Sequence, residues 1–211
     1  MGVVLLASDE TALMPNTRVT LRQVREEDRW RLWSWRNSER IRRVSTNDAE
    51  IPRESHDEWF SRRLPSMRDR TIIVEVDGIP VGWYQIEHWD ADTRTGEWGV
   101  ALGESSPIRG LGRALPLLAH AHAFDRLYAT KLTGRVLAQN ERMVPVMEAL
   151  GIPRAVELDS NVNRATGESV LLMAYRVRSP QWPQLWERGT AALTPQVRSL
   201  VRQVVASTIS D

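Results

Sequence analysis

The chain contains no cysteine. That excludes disulfides, a thiolate nucleophile and any cysteine-ligated zinc or iron–sulfur centre. It is nearly without net charge as well, since 28 Lys and Arg side chains oppose 27 Asp and Glu and leave +1. No general field draws such a chain to nucleic acid or to an anionic membrane, so any phosphate binding has to come from a local pocket. Lys131 is the only lysine. No apolar stretch approaches the roughly 20 residues that a membrane span needs. The opening MGVVLLASDE has a short apolar run, but no basic segment precedes it and acidic residues follow, which makes a poor secretory signal. Internal repeats and low-complexity segments are missing too. These absences predict a cytoplasmic setting with no nucleic-acid or membrane partner. A length of 211 residues predicts one compact domain that buries roughly 70% of its unfolded surface.

Along the chain, periodicity predicts alternating helices and strands. Residues 1–16 read as an N-terminal extension, 17–188 as the main domain and 189–211 as a C-terminal helical extension. Val19 and Leu21 open a first strand. Glu26, Glu27 and Asp28 favour a helix start, with Trp30, Trp33 and Ile41 as its apolar positions. A second helix from Pro52 carries His56, Trp59, Phe60 and Leu64. Strands over 71–76, 79–88 and 94–102, with an Asp77-Gly78 turn, predict an antiparallel meander. Further strands are expected over 132–137, 155–157 and 170–177, and a helix over 141–150. Trp182 and Trp186 read as packing anchors. Thr194 as N-cap, Pro195, and a stripe of Val197, Leu200, Val201 and Val204 predict a short amphipathic helix. That helix has to bury its stripe on the domain or on a partner chain, so a homodimer is compatible with it. The fold class is α/β, with strands and helices interleaved in a mixed sheet.

The segment EWGVALGESSPIRGLGRA, Glu97 to Ala114, carries most of the functional information. Trp98, Val100 and Leu102 alternate as a strand, and Gly110 and Gly112 bracket Leu111 before the helical pattern Ala114, Leu115, Leu118, Ala121. The first amides of a helix lack intrahelical partners and lie at the positive end of its dipole, so such a junction can accept a di- or triphosphate. Arg109 and Arg113 add charge. A Walker loop is excluded because Arg113 and Ala114, not Lys-Ser or Lys-Thr, follow Gly112. The dinucleotide fingerprint fails too, because Leu115 stands at its third glycine and the strand ending at Leu137 runs into Ala138 and Gln139, not a ribose-binding carboxylate.

What remains, Arg109-x-x-Gly112-x-Ala114, resembles the coenzyme-A loop of the GNAT acyltransferase superfamily. VLAQNERMVPVMEALGIP, Val136 to Pro153, is similar to its second cofactor segment. LWSWRNSERIRR around Arg36 and Asn37, IPRESHDEWF around His56 and Trp59, and EWGVALGE at Glu97 resemble the branch of pseudaminic-acid-pathway N-acetyltransferases, which acetylate nucleotide-linked deoxyaminosugars. The resemblance covers about Arg18 to Trp186. It implies a GNAT fold, with a mixed, mostly antiparallel sheet flanked by helices, to which the C-terminal amphipathic helix is added. It also implies acetyl-CoA as cofactor, held by Val100, Leu102, Arg109, Gly110, Leu111, Gly112, Arg113, Ala114, Asn140 and Met147. The acceptor amine is expected at Arg36, Asn37, Arg42, His56, Trp59 and Trp98.

Acyl transfer to an amine needs a base near the acceptor. Glu97 is the candidate. Strand alternation puts it on one face with Gly99 and Ala101, and a dry trough there would raise a carboxylate pKa, by up to about 3–5 in the extreme. The alternative is a half-exposed strand glutamate paired with an arginine. Many GNAT enzymes protonate the departing thiolate with a tyrosine four residues before the closing glycine of the second segment. Met147 stands there and cannot donate a proton. A free small-molecule amine or a protein N-terminus as acceptor, and an acyl-CoA-binding regulatory module without turnover, are the other readings. His120 and His122, two apart on a helix, do not share a face as a metal pair needs, and read as structural.

Overall fold

The computed structural model describes residues 17–67, 70–162, 167, 169–207 and 209. The expected extension over 1–16 lies outside them. Seven strands form one sheet in the order β1-β2-β3-β4-β5-β7-β6. They are β1 (Val19–Gln23), β2 (Thr71–Val76), β3 (Ile79–Asp90), β4 (Thr95–Leu102), β5 (Lys131–Leu137), β6 (Arg154–Val162) and β7 (Ser169–Arg178). Every pairing is antiparallel except β4 with β5. Asp77 and Gly78 both take positive φ, 53° and 76°, as a two-residue hairpin turn requires. The expected meander and GNAT-type mixed sheet are therefore present.

The helices are α1 (Arg29–Asn37), α2 (Glu39–Arg42), α3 (Arg53–Met67), α4 (Leu111–Ala121), α5 (Met143–Leu150), α6 (Trp182–Ala191) and α7 (Pro195–Ala206). Strand alternation sends Ile73, Trp83 and Ala101 to one face, where they meet Leu32, Trp35, Phe60 and Leu64 of α1 and α3. Ile72, Tyr84 and Trp98 point to the other face and join the core under α4, α6 and α7. At about 1.5–3 kcal/mol for each large apolar side chain removed from water, these two layers supply the main driving force. A buried Arg22 fastens the first turn to the sheet. Its guanidinium donates to both carboxylate oxygens of Asp28, at 2.6 and 2.8 Å, and to Glu75 at 2.6 Å. Those bonds outweigh its desolvation and raise its pKa further.

Two helical expectations need correction. Trp30 and Trp33 are not the inward positions of α1. Leu32 and Trp35 are, because their side of the helix packs on Ile73 and Trp83 of the sheet. Trp30 is 38% exposed, with the Arg53 guanidinium 4.2 Å over its ring. Helix α4 also begins at Leu111, inside the glycine segment. At the C-terminus the Thr194 hydroxyl accepts from the Val197 amide, and Val197, Val201 and Val204 are buried against the chain's own core, where α7 packs on α4 and β1.

Candidate cofactor cleft and acceptor face

β4 and β5 pair only at Thr95–Lys131, Gly96–Leu132 and Glu97–Thr133. β4 continues to Leu102 and β5 to Leu137, so the two strands part after Glu97. β4 keeps its other neighbour, β3, as far as Leu102. The result is a V-shaped cleft between two parallel strands. Its backbone groups on the inner edges lack ladder partners and need others, because a buried unpaired amide or carbonyl is costly.

The mouth of the cleft leads into the start of α4. Gly110, the N-cap, has φ 90°, a left-handed conformation that glycine alone adopts freely. The amides of Leu111 and Arg113 donate to Ile108 O at 3.2 Å and Gly110 O at 3.0 Å. Among the described residues the Gly110 and Gly112 amides donate to no backbone carbonyl. Arg109 and Arg113 flank the turn and are exposed. Two amides without a backbone acceptor, a helix N-terminus and two guanidinium groups are the kinds of group that an anion can use. Leu111 and Ala114 are 1% and 0% exposed, so only their backbones can face a ligand. Gly112 has a second role, since a Cβ there would stand 2.8 Å from Leu102 Cδ1. Its lack of side chain lets α4 approach β4. Val100 and Leu102 are half-buried and pack against the α4-side core.

On the far side of the cleft, Asn140 accepts the Met143 amide at 3.0 Å on Oδ1 and so starts α5. Met147 is a correction. It is fully buried in the stripe Val146, Met147, Leu150 of α5, which leaves its side chain no open surface to offer a ligand.

Glu97 sits at the vertex, facing the α1–α3 side with Gly99 and Ala101. The trough is not dry. A third of the Glu97 side chain is exposed, and its Oε2 accepts from Arg135 Nη1 at 2.5 Å, as in the ion-paired alternative. Glu87 lies directly opposite on β3. Two like charges in one cross-strand pair disfavour the sheet, and Arg135 offsets that. Arg135 was not legible as a site residue. Alternation shows its face only once the β4–β5 register is known.

The expected acceptor residues divide. Asn37 donates to Ile51 O at 2.9 Å and accepts the Ile51 amide at 2.8 Å, so its amide group is consumed in holding the segment before α3. His56 is 3% exposed, and its Nε2 lies 2.8 Å from Arg29 O. Burial lowers its pKa, and the ring donates to that carbonyl. Trp98 is 7% exposed, under the sheet on the α4 side, and cannot stack on an acceptor. All three are structural. Arg42 reaches the Asp48 carbonyl at 3.4 Å. Arg36 and Trp59 remain half-buried at the helical layer. Sequence reasoning also missed Arg40, which donates to the Leu102 and Gly103 carbonyls at 3.0 and 2.8 Å and ties α2 to the mouth of the cleft. Trp35 assists there, its indole donating to Glu104 at 2.7 Å.

His120 and His122 are both buried, as expected of structural residues. His120 Nδ1 donates to Pro116 O at 2.6 Å, and burial pushes its pKa down to about 4. Among the described residues no cluster of three metal-ligating side chains exists, and no helix is long and apolar enough to cross a membrane.

A mixed sheet split between two parallel strands, with a glycine-capped helix start following the longer of them, is the architecture of an acyl-cofactor transferase. The chain belongs to the acetyltransferase (GNAT) domain family, whose profile matches residues 18–152. Solved structures agree on the fold. Spermidine N-acetyltransferase from Vibrio cholerae, in complex with CoA and spermine, aligns with TM-score 0.69 at 15% identity, over 79% of this chain and 98% of that one. The structure of yncA from Salmonella typhimurium with its cofactor acetyl-CoA gives 0.60 at 19% identity over 76% and 94%. Ribosomal-protein-alanine N-acetyltransferase from Brucella melitensis gives 0.59 at 17% over 75% and 98%. No curated protein sequence matches the chain.

Proposed function

We propose that the protein is an acetyl-CoA-dependent N-acetyltransferase whose cofactor lies in the β4–β5 cleft. The observation that carries this reading is the end of strand pairing at Glu97–Thr133, which leaves an open strand edge running toward the Gly110 turn. The residues fit the cofactor. The Gly110 and Gly112 amides with Arg109 and Arg113 suit its pyrophosphate, and the inner edge of β4 from Gly99 to Leu102 suits the amides of its pantetheine arm. Asn140 can add its NH2 group from the turn between β5 and α5. When bound, the cofactor supplies an activated acetyl thioester.

The acceptor amine approaches from the α1–α3 side, where Glu97 and Glu87 favour an ammonium group. Glu97 takes its proton, directly or through one water, before the amine attacks. No residue of the chain is assigned to protonate the departing thiolate. A thiol of ordinary pKa, about 8.5, would not require a protein acid for its departure. The nucleotide-linked aminosugar suggested by resemblance now rests on Arg36, Arg42 and Trp59, since Asn37, His56 and Trp98 are committed to structure. Spermidine and a ribosomal-protein N-terminus, the acceptors named for two fold neighbours, set the range of amines to try.

Thiol release from acetyl-CoA, measured against nucleotide aminosugars, polyamines, free amines and peptides, tests the reading. Turnover with one amine class is expected. Tight acetyl-CoA binding with no turnover across the panel would contradict it.

A further inference from the structure

Trp98 and Gly134 are one register step beyond the last backbone pair of β4 and β5, Glu97–Thr133. From there on, no ladder bond joins the two strands. A side chain on a sheet ordinarily stands near-perpendicular to it. The Trp98 indole instead leans across the opening split. A Cβ built on Gly134 would fall 2.1, 2.3 and 2.4 Å from its Cε2, Nε1 and Cζ2, so the ring occupies the place where any other residue at 134 would put its side chain. On the next strand, Tyr175 pairs with Gly134 and is 2% exposed. Below, the His120 ring of α4 lies 5.7 Å from the indole and stacks in turn on Trp182 at 6.2 Å. Trp98 Nε1 and His120 Nε2 are both buried without a hydrogen-bond partner among the described residues. The ring is therefore positioned by packing alone.

We propose that Trp98 is the spacer of the cleft: its indole, seated on Gly134 and backed by His120, holds β4 and β5 at the separation that admits the cofactor arm and closes the split on the α4 side. This rests on the cofactor reading above. Trp98 is a positioning residue and touches neither cofactor nor acceptor. It replaces, by side-chain packing, the coupling that the ladder has lost, at the row where the thioester end of the arm has to be registered against Glu97.

The test is coenzyme A affinity by calorimetry in folded variants, with amide exchange of the ligand-free protein beside it. Trp98→Ala is expected to weaken binding about tenfold or more and to speed exchange at Gly99 and Gly134, with KM for acetyl-CoA rising more than kcat falls. Gly134→Ala, which drives a Cβ into the indole, is expected to weaken binding similarly in the parent but less than about threefold further in the Trp98→Ala background, a non-additivity that marks direct contact. Phe60→Ala, an equally deep cavity in the other core, is the control and should lower thermal stability while leaving affinity unchanged. Affinity within about threefold of the parent for folded Trp98→Ala, additive losses in the double variant, or an equal loss in Phe60→Ala would each overturn the proposal. If Trp98→Ala does not fold, Gly134→Ala and Trp98→Phe decide it, because Phe keeps a ring over Gly134 and should retain most of the affinity. If the parent binds no coenzyme A, the cofactor reading fails by itself, and unchanged exchange at Gly99 and Gly134 would reject the spacer independently.

Discussion

Glu97 occupies the last paired position of β4, ion-paired with Arg135 and opposite Glu87. As the proposed base, its replacement by Gln should lower kcat by about 10² to 10⁴ with coenzyme binding intact. Activity within threefold of the parent would take it out of the mechanism. His120 offers a test of stability. Its pKa falls from 6.5 to about 4 on folding because burial disfavours the charged ring. The unfolded chain therefore binds the proton more readily, so the contribution is complete above pH 6.5 and is lost as pH falls toward 4, up to about 3 kcal/mol. Denaturant midpoints measured over that window should fall with pH, and a profile as flat as that of His120→Gln would contradict the assignment. At this scale the sequence was only partly legible. Glu97 and the arginines of the turn stand where expected, but Asn37 and His56 were read as ligands because their backbone partners, Ile51 and Arg29, cannot be inferred from spacing.

The element on which the proposed function rests is the junction of β4 and α4. Its strand, glycines and helix were legible, since alternation and turn chemistry are local. The split beside it was not, because it depends on the register between β4 and β5, which are separated in sequence by a whole helix. The two glycines also proved different. Gly110 needs its positive φ, whereas Gly112 spares Leu102 a clash. Gly110→Val is therefore expected to disturb the anion site through backbone strain. Gly112→Ala meets only the movable end of Leu102, so it should cost less coenzyme affinity. Calorimetric Kd values in the opposite order would show that the turn conformation is not what holds the phosphates. Trp30 and Trp33 illustrate the same limit, because helical spacing suggested them as inward positions while the sheet takes the side with Leu32 and Trp35.

At the scale of the whole molecule, two cores clamp one sheet, and α7 belongs to the larger of them. The amphipathic stripe of α7 was legible, but whether it met its own domain or a second chain was not. Three buried valines at about 1.5 kcal/mol or more each predict that ending the chain at Leu193 lowers the melting temperature by roughly 10 °C or more. An unchanged transition would mean that α7 adds nothing to the fold. The central claim is that acetyl-CoA enters between β4 and β5 with its phosphates at the start of α4. Titration of 15N-glycine-labelled protein with acetyl-CoA reads this directly, because glycines line the cleft and also mark places remote from it. The account predicts shifts at Gly99, Gly110, Gly112 and Gly134 and none at Gly78 or Gly189; shifts confined to the latter two, or absent from the first four at saturation, would contradict it.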